Sequence, residues 1–296
     1  MSFTSEVKRE LLNSPVKSEC CKYSMLAGIL AFIGNIKSFH EDMRYTLVTE
    51  NILVAEKVAA LCGELFLLYP EIKKQNNGYC LNFPEASMML HELDLFKWGD
   101  VGFSLPSNLR EECCVRSFIK GAFLSGGSVT SPEKRYHLEF VTPHYQLHMQ
   151  FQGLFLRFDI PAKWVVRKSK YVTYFKDNEV ICDVLAVMGA ADAVMEISNT
   201  SIVKNVKNNT NRIMNCENAN MDKAINAALR QAHAIQKLEQ EFGIESLPEN
   251  LRELAALRLE NKELSLAEIG QMLDPPLSKS GVNHRMRKLM ELAEKG

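Results

Sequence analysis

The densest local chemistry in the chain lies near its C-terminal end. Between positions 277 and 290 stand the basic residues Lys279, Arg285, Arg287 and Lys288, with no acid among them. Arg287 and Asn283 carry side chains that pair in bidentate fashion with guanine and adenine edges. Lys279 and Ser280, at what reads as a helix start, suit phosphate oxygens. At ~100° per residue, Ser280, His284 and Arg287 share one face, flanked by Asn283 and Lys288, and Val282, Met286 and Leu289 lie opposite. A merely solvated basic helix has the same look in isolation. Only the elements around it can turn it into a reader of the DNA major groove.

Other chemistry-bearing residues read more plainly. The cysteines are Cys20, Cys21, Cys62, Cys80, Cys113, Cys114, Cys182 and Cys216, with no C-x-x-C pair and two adjacent doublets. Adjacent cysteines rarely share a metal or bridge each other, so free, mostly buried thiols are expected. His144 and His148 are spaced i, i+4 without the HExxH pattern, which predicts surface histidines rather than metal ligands. The stretch 162–176 holds Lys163, Arg167, Lys168, Lys170 and Lys176 without an acid. Its basic residues do not alternate strictly, so their facing stays open, as does a contact with DNA. No catalytic residue, metal or cofactor is expected.

Composition sets the frame. The 296 residues allow two domains or three, and 46% hydrophobic with 24% charged residues is that of a globular chain. Lys and Arg total 35 against 36 Asp and Glu, a net charge of −1, so any attraction to DNA must be local. No apolar run approaches ~18 residues, and the start, MSFTSEVKRELLN, lacks the apolar core of a signal peptide. The expectation is a cytoplasmic, nucleoid-associated chain with no membrane partner.

The doublets mark an internal repeat. ECCKYSMLAGILAFIGNI begins at Glu19 and ECCVRSFIKGAFLSGGSV at Glu112, an offset of 93 residues, with Ser24/Ser117, Gly28/Gly121 and Gly34/Gly127 identical. Each segment is followed by a strand pattern carrying Val-Thr, an apolar helix pattern, further strand residues and a short helix; Asn76-Asn77-Gly78 reads as a hairpin turn in the first copy. The unit is α-β-β-α-β-β-α, occurring at about 16–100 and 109–190, and the domain is placed at 1–198. A glycine inside a helix costs ~1 kcal/mol against alanine, so the matched Gly28 and Gly121 predict close packing of the two helices about a pseudo-twofold axis.

LAGILAFIG, from Leu26 to Gly34, resembles the LAGLIDADG motif of homing endonucleases, and the repeat matches that family's fold. In those enzymes the penultimate motif residue is an acid that holds a catalytic divalent metal. Here the positions are Ile33 and Gly126, neither able to ligate a hard cation, and the nearest acids, Glu41, Asp42 and Glu133, lie past the helix ends. The resemblance therefore implies the scaffold without the nuclease.

Residues 199–220 are rich in asparagine and predict a polar connector with helix caps, or a polar surface touching phosphate or the other domain through Lys204, Lys207 and Arg212. From 221 to 242 the stripe Ile225, Ala228, Leu229, Ala232, Ile235, Leu238 and Phe242 predicts a helix able to span ~30 Å, with Asn220 as cap and Gly243 as stop. Connector and linking helix together take up 199–243. From 244 to 296 three short helices follow: PENLRELAALRLEN, then SLAEIGQML with the S-x-x-E box Ser265/Glu268, then, after Pro275 and Pro276, VNHRMRKLMELAEK. This is helix-turn-helix organisation, with the DNA-binding motif at about 265–296.

The NR-x-x-NCE-x-AN string from Asn211 and the PPLSKSGVNHR string from Pro275, added to repeats without catalytic acids, are similar to the WhiA family over nearly the full chain. The terminal domain also resembles region four of bacterial sigma factors. The resemblance implies an α+β fold with two LAGLIDADG-like repeats, a linking helix and an all-α terminal domain. It implies a non-enzymatic, sequence-specific regulator of transcription in cell division, chromosome segregation and sporulation. The DNA-binding set is then Ser265, Lys279, Ser280, Asn283, His284, Arg285, Arg287 and Lys288, and the partner is double-stranded DNA, with room for a protein co-regulator or an unidentified ligand of the repeat domain. An active LAGLIDADG nuclease or RNA maturase is the competing reading.

Overall fold

Two apolar helices that touch through their glycines organise the first part of the chain. They are α2 (Glu19–Ile33) and α5 (Glu112–Gly126), each opening one repeat. The computed structural model describes residues 2–16, 18–36, 45–75, 78–83, 86–96 and 103–295. The chain forms two compact units, 1–204 and 205–296.

In the first unit α1 (Phe3–Asn13) precedes the repeats. The first repeat runs through α2, β1 (Gly34–Ile36), β2 (Tyr45–Thr49), α3 (Ile52–Phe66), β3 (Ile72–Gln75), β4 (Gly78–Phe83) and α4 (Ala86–Glu92). The second runs through α5, β5 (Gly127–Val129), β6 (Leu138–Thr142), α6 (Tyr145–Leu156), β7 (Lys163–Arg167), β8 (Lys170–Phe175) and α7 (Asn178–Met188). The strands form two antiparallel sheets, ordered β1-β2-β4-β3 and β5-β6-β8-β7. Register repeats too: Gly34 stands opposite Leu47 as Gly127 stands opposite Phe140. The α-β-β-α-β-β-α unit expected from the sequence is thus present twice. Of the expected hairpin turn, Asn76 and Asn77 lie outside the described residues, and β3 and β4 pair on either side of it.

A Cβ built at Gly28 would overlap the carbonyl oxygen of Phe118 and stand 3.0 Å from the amide nitrogen of Ala122. One at Gly121 would overlap the carbonyl of Met25 and stand 3.0 Å from the amide nitrogen of Ile29. Met25 and Ile29 are the repeat counterparts of Phe118 and Ala122, so the contact is symmetric, backbone against backbone. Around it lies one core shared by both repeats: Phe32 of α2 meets Phe151 of α6 at 4.7 Å between ring centroids.

The helix α1, which the sequence reading did not mark, straps this unit. The Thr4 hydroxyl donates to the Val129 carbonyl at 2.7 Å and accepts from its amide at 3.0 Å, so α1 is tied to β5 at the edge of the second sheet. At the other end of α1, the Glu10 carboxylate accepts from the amides of Asp192 and Ala193 at 2.7 and 3.2 Å. A carboxylate there satisfies orphan N–H groups and complements the positive helix end. Lys120, buried in the middle of α5, donates to Ser14 just past α1, and burial pushes its ammonium down to about 8, with Lys57 adding to the effect.

The helix capped by Glu10 is α8 (Ala191–Phe242), 52 residues long. This corrects the expected connector: 199–220 is helical throughout, and Asn220 caps nothing, its amide turned back to Cys216 Sγ at 3.7 Å. Asparagine in a helix costs under ~0.7 kcal/mol against alanine, while propagating a helix already nucleated adds one bond per residue. With a capped start and a packed final stretch, the polar middle carries on as helix. The expected apolar stripe is also corrected: Ala228, Ala232, Ile235 and Leu238 are buried, but Ile225, Leu229 and Phe242 are exposed.

Two readings of single residues change as well. His148 is 1% exposed, not on the surface: its Nδ1 lies 3.2 Å from Thr173 Oγ1, its Nε2 3.0 Å from the Gln152 amide, and its ring stacks on Tyr171. Burial holds its pKa below the ordinary value. Among the cysteines, Cys21, Cys62, Cys80 and Cys114 are buried, but Cys20, Cys113 and Cys216 are exposed.

The glycine contact generates a contrast. Gly28→Ala and Gly121→Ala force a methyl group against backbone and should each lower the melting temperature of the repeat unit, by the ~1–3 kcal/mol typical of overpacking. Gly153, exposed within α6 and with nothing near its absent Cβ, should behave oppositely, Gly153→Ala stabilising by up to ~1 kcal/mol. Calorimetry of the three variants reads the signs; equal shifts would contradict the packed crossing.

Candidate nucleic-acid interface

In the second unit the last stretch of α8 packs with α9 (Glu249–Glu260), α10 (Leu266–Met272) and α11 (Lys279–Lys295) around Ile235, Leu254, Ile269, Val282, Met286 and Leu289. A short 3-10 turn, Ile244–Ser246, follows Gly243, whose φ of 76° suits a glycine stop.

The geometry between α10 and α11 rests on Gly270. The Leu277 amide donates to the Gly270 carbonyl at 2.8 Å, and a Cβ at Gly270 would overlap the Leu277 carbonyl and stand 2.9 Å from Val282 Cγ2. The turn lies directly on the helix before it, which only glycine permits. Arg258, 1% exposed, fastens the preceding corner by donating to the carbonyls of Asn261 and Leu264 at 3.3 and 2.7 Å. Desolvation lowers its pKa from the ordinary arginine value. Its sequence signal was hidden, because an arginine among leucines on an amphipathic helix reads as surface.

Ser265 caps α10: its hydroxyl accepts from the Glu268 amide at 3.3 Å, and the Glu268 carboxylate accepts from the Ser265 amide at 2.8 Å. The Ser265 hydroxyl, then its amide, holds the Glu268 carboxyl below its usual pKa. The third helix begins at Lys279, three residues before the expected start, because the Ser278 hydroxyl accepts from the Gly281 amide at 3.3 Å.

That start puts Lys279 and Ser280 in the first turn of α11. Ser280 Oγ lies 2.9 Å from Ser278 Oγ. Val282, Met286, Leu289 and Ala293 are buried, while Lys279, Ser280, Asn283, His284, Arg287 and Lys288 are exposed. Arg285 is set apart from them: it is half-buried and donates to the Asn250 carbonyl of α9 at 3.1 Å. The acids Glu291 and Glu294 enter only further along α11, so the basic character is concentrated in its N-terminal half, the half that faces base edges in helix-turn-helix proteins.

In the first unit, strand register settles the facing of 162–176. Lys163 pairs with Tyr174 and Arg167 with Lys170, and Tyr174 pairs with Glu139, so these side chains share one sheet face. Arg167 reaches Glu139 at 3.3 Å, and Lys176 lies 5.1 Å from the Tyr174 ring centroid. Lys168 leaves the pattern in a turn with Ser169, at φ of 47° and 61°. Trp164 turns the other way, toward His148.

Among the described residues, the C-terminal ends of α2 and α5 hold no carboxylate. Ile33 packs against the shared core, and a Cβ at Gly126 would crowd the Val141 carbonyl and stand 3.1 Å from Phe32 Cδ1. At Gly126 there is no room for an acid. Glu41 and Asp42 lie outside the described residues, and Glu133 is exposed.

Residues 115–207 match the WhiA LAGLIDADG-like domain family, and 210–293 match the WhiA C-terminal HTH domain family. A probable cell division protein WhiA of Alkaliphilus metalliredigens is 37% identical over 311 residues, covering 100% of this chain and 98% of its own. Another, of Ruminiclostridium cellulolyticum, is 40% identical over 309 residues with the same coverage. The crystal structure of full-length DUF199/WhiA from "Thermatoga maritima" is similar at a TM-score of 0.62 and 26% identity, covering 100% of this chain and 99% of that one. Among the described residues, no helix is long and apolar enough to cross a membrane.

The turn geometry is directly testable. Gly270→Val should abolish the thermal transition of the second unit, whereas Ser265→Ala should lower its stability by only ~1 kcal/mol, the worth of an N-cap. Circular dichroism melts of the full chain distinguish the two; a cooperative second transition unchanged in Gly270→Val would refute the assigned turn.

Proposed function

The chain belongs to the WhiA family, and from that premise we propose that it is a non-enzymatic, sequence-specific DNA-binding regulator of transcription acting in cell division, with chromosome segregation and sporulation among the processes it serves. The observation that carries this reading is the outer face of α11. Asn283, His284, Arg287 and Lys288 are exposed there, on a helix pinned from behind by four buried side chains. Arg287 and Asn283 read base edges, Lys279 and Ser280 hold phosphate at the helix start, and Arg285, Arg258 and Ser265 position the helix. A second contact, with phosphate, is assigned to Lys163, Arg167 and Lys170, supported by their common sheet face. The protein then resides on the nucleoid.

Arg287→Ala should weaken specific binding by ~1–3 kcal/mol and relax preference at one base pair. Lys279→Ala should weaken all sequences alike and reduce the salt slope by about one phosphate contact. The sites come from genome-wide footprinting with the purified full chain, and salt titrations of fluorescence anisotropy give the slopes. If Lys163→Ala with Lys170→Ala abolishes specific binding while Arg287→Ala leaves it intact, the sheet is the reader and α11 is not.

The same reading excludes strand scission. Neither the native chain nor Ile33→Asp should cut plasmid DNA with magnesium or manganese, and Gly126→Asp should destabilise the repeat unit rather than create a metal site. Metal-dependent cleavage that co-purifies with the folded chain and is lost on altering α2 or α5 would overturn it.

A further inference from the structure

The sulfurs of Cys20, Cys21, Cys113 and Cys114 all lie within 4.8 Å of one another. Cys20 and Cys21 belong to the first turn of α2, and Cys113 and Cys114 to the first turn of α5. One doublet alone offers a metal only two ligands, which is why adjacent cysteines read as inert. The glycine crossing brings the second doublet to the first and completes a set of four.

We propose that these four thiols bind one zinc ion as a structural clamp between the two repeats. A tetrahedral zinc thiolate site has Zn–S bonds of ~2.3 Å, which sets its sulfurs ~3.8 Å apart. The observed sulfurs, all within 4.8 Å of one another, have at most ~1 Å to close to reach that spacing. An iron–sulfur cluster, with several irons and bridging sulfides inside the ring of thiolates, needs its outer sulfurs farther apart. Four soft ligands without an oxygen disfavour magnesium and calcium.

Ser18 and Glu111 occupy the N-cap positions of α2 and α5, and neither side chain caps its helix. The first turns thus leave backbone N–H groups without a side-chain partner, while burial pushes the Cys114 thiol up to about 12, so it is the metal ion that deprotonates the ligands as it binds. Of the charges nearby, Arg116 is bound to Glu112 at 2.6 Å and Lys22 to Glu64, and the carboxylates of Glu19 and Glu111 also stand at the two helix starts. Cys21 and Cys114 are buried and Cys20 and Cys113 exposed, so the site has an anchored floor and an open entrance. On binding, Zn²⁺ replaces up to four thiol protons, which pass to solvent, leaving a tetrathiolate of charge −2; no electron moves. The site sits at the N-terminal ends of α2 and α5, opposite to Ile33 and Gly126, and is independent of any endonuclease-type metal position.

The test uses the full chain, purified under reducing conditions. Elemental analysis should find about one zinc per chain. Cobalt(II) added to the zinc-free chain should give the thiolate charge-transfer and intense visible bands of tetrahedral sulfur ligation, saturating at one equivalent and bleached by one equivalent of zinc chloride. Cys20→Ser with Cys113→Ser, altering only the exposed pair, should lose zinc and both spectra, while Cys216→Ser keeps them. Zinc removal should lower the melting temperature of the parent and leave the double variant unmoved. The proposal is overturned if the reduced, folded parent gives no thiolate–cobalt spectrum, if zinc binding survives in the double variant, if the chain carries iron and acid-labile sulfide instead, or if mass spectrometry finds the four cysteines joined as disulfides.

Discussion

The fold depends on a contact in which two backbones meet with no side chain between them. At Gly28 and Gly121 each helix presses its bare face onto a carbonyl and an amide of the other. The helices cannot separate to admit a methyl group without opening the core they share, so the position of everything mounted on them follows. Each carries its own four-stranded sheet in the same register, and the hydrophobic residues of both repeats close into one cluster. The crossing also dictates what lies at the helix ends: four sulfurs at one pair, an isoleucine and a cramped glycine at the other.

Much of this was legible in the sequence because it was written locally and twice. The doublets, the matched glycines and the Val-Thr strands announce a repeat by their constant offset. The capping box, the proline pair and the apolar spacing of Val282, Met286 and Leu289 announce a helix-turn-helix within thirty or so residues. What stayed hidden depends on partners far away in the chain. Asparagine-rich 199–220 looks like a connector until Glu10, nearly two hundred residues earlier, is seen to cap the helix that runs through it. His148 looks exposed until Thr173 and Gln152 surround it. The basic residues of β7 and β8 show no clean alternation because Lys168 belongs to the turn, and only pairing with β6 assigns their face.

The helix-turn-helix unit divides its polar residues by position rather than type. Arginines 258, 285 and 287 have one chemistry and three situations. The first is buried and holds a corner through two carbonyls, the second is half-buried and ties α11 to α9, and the third projects into solvent. Hydrogen bonds to backbone carbonyls hold Arg258 and Arg285 against the domain, whereas Arg287 is exposed, so position separates three residues that charge alone cannot.

The symmetric crossing also governs which parts of the two halves are at liberty to drift apart. At the glycines a larger residue in one copy collides with backbone of the other, so the two positions are constrained together. Ala27 and Lys120 occupy matching places one residue before those glycines, yet they have diverged. Lys120 meets Ser14 after α1, an element that occurs only once, and Ala27 has no such counterpart to satisfy. The crossing holds the two glycines identical while the residues they press on, Met25/Phe118 and Ile29/Ala122, differ, because those meet the glycines through backbone atoms.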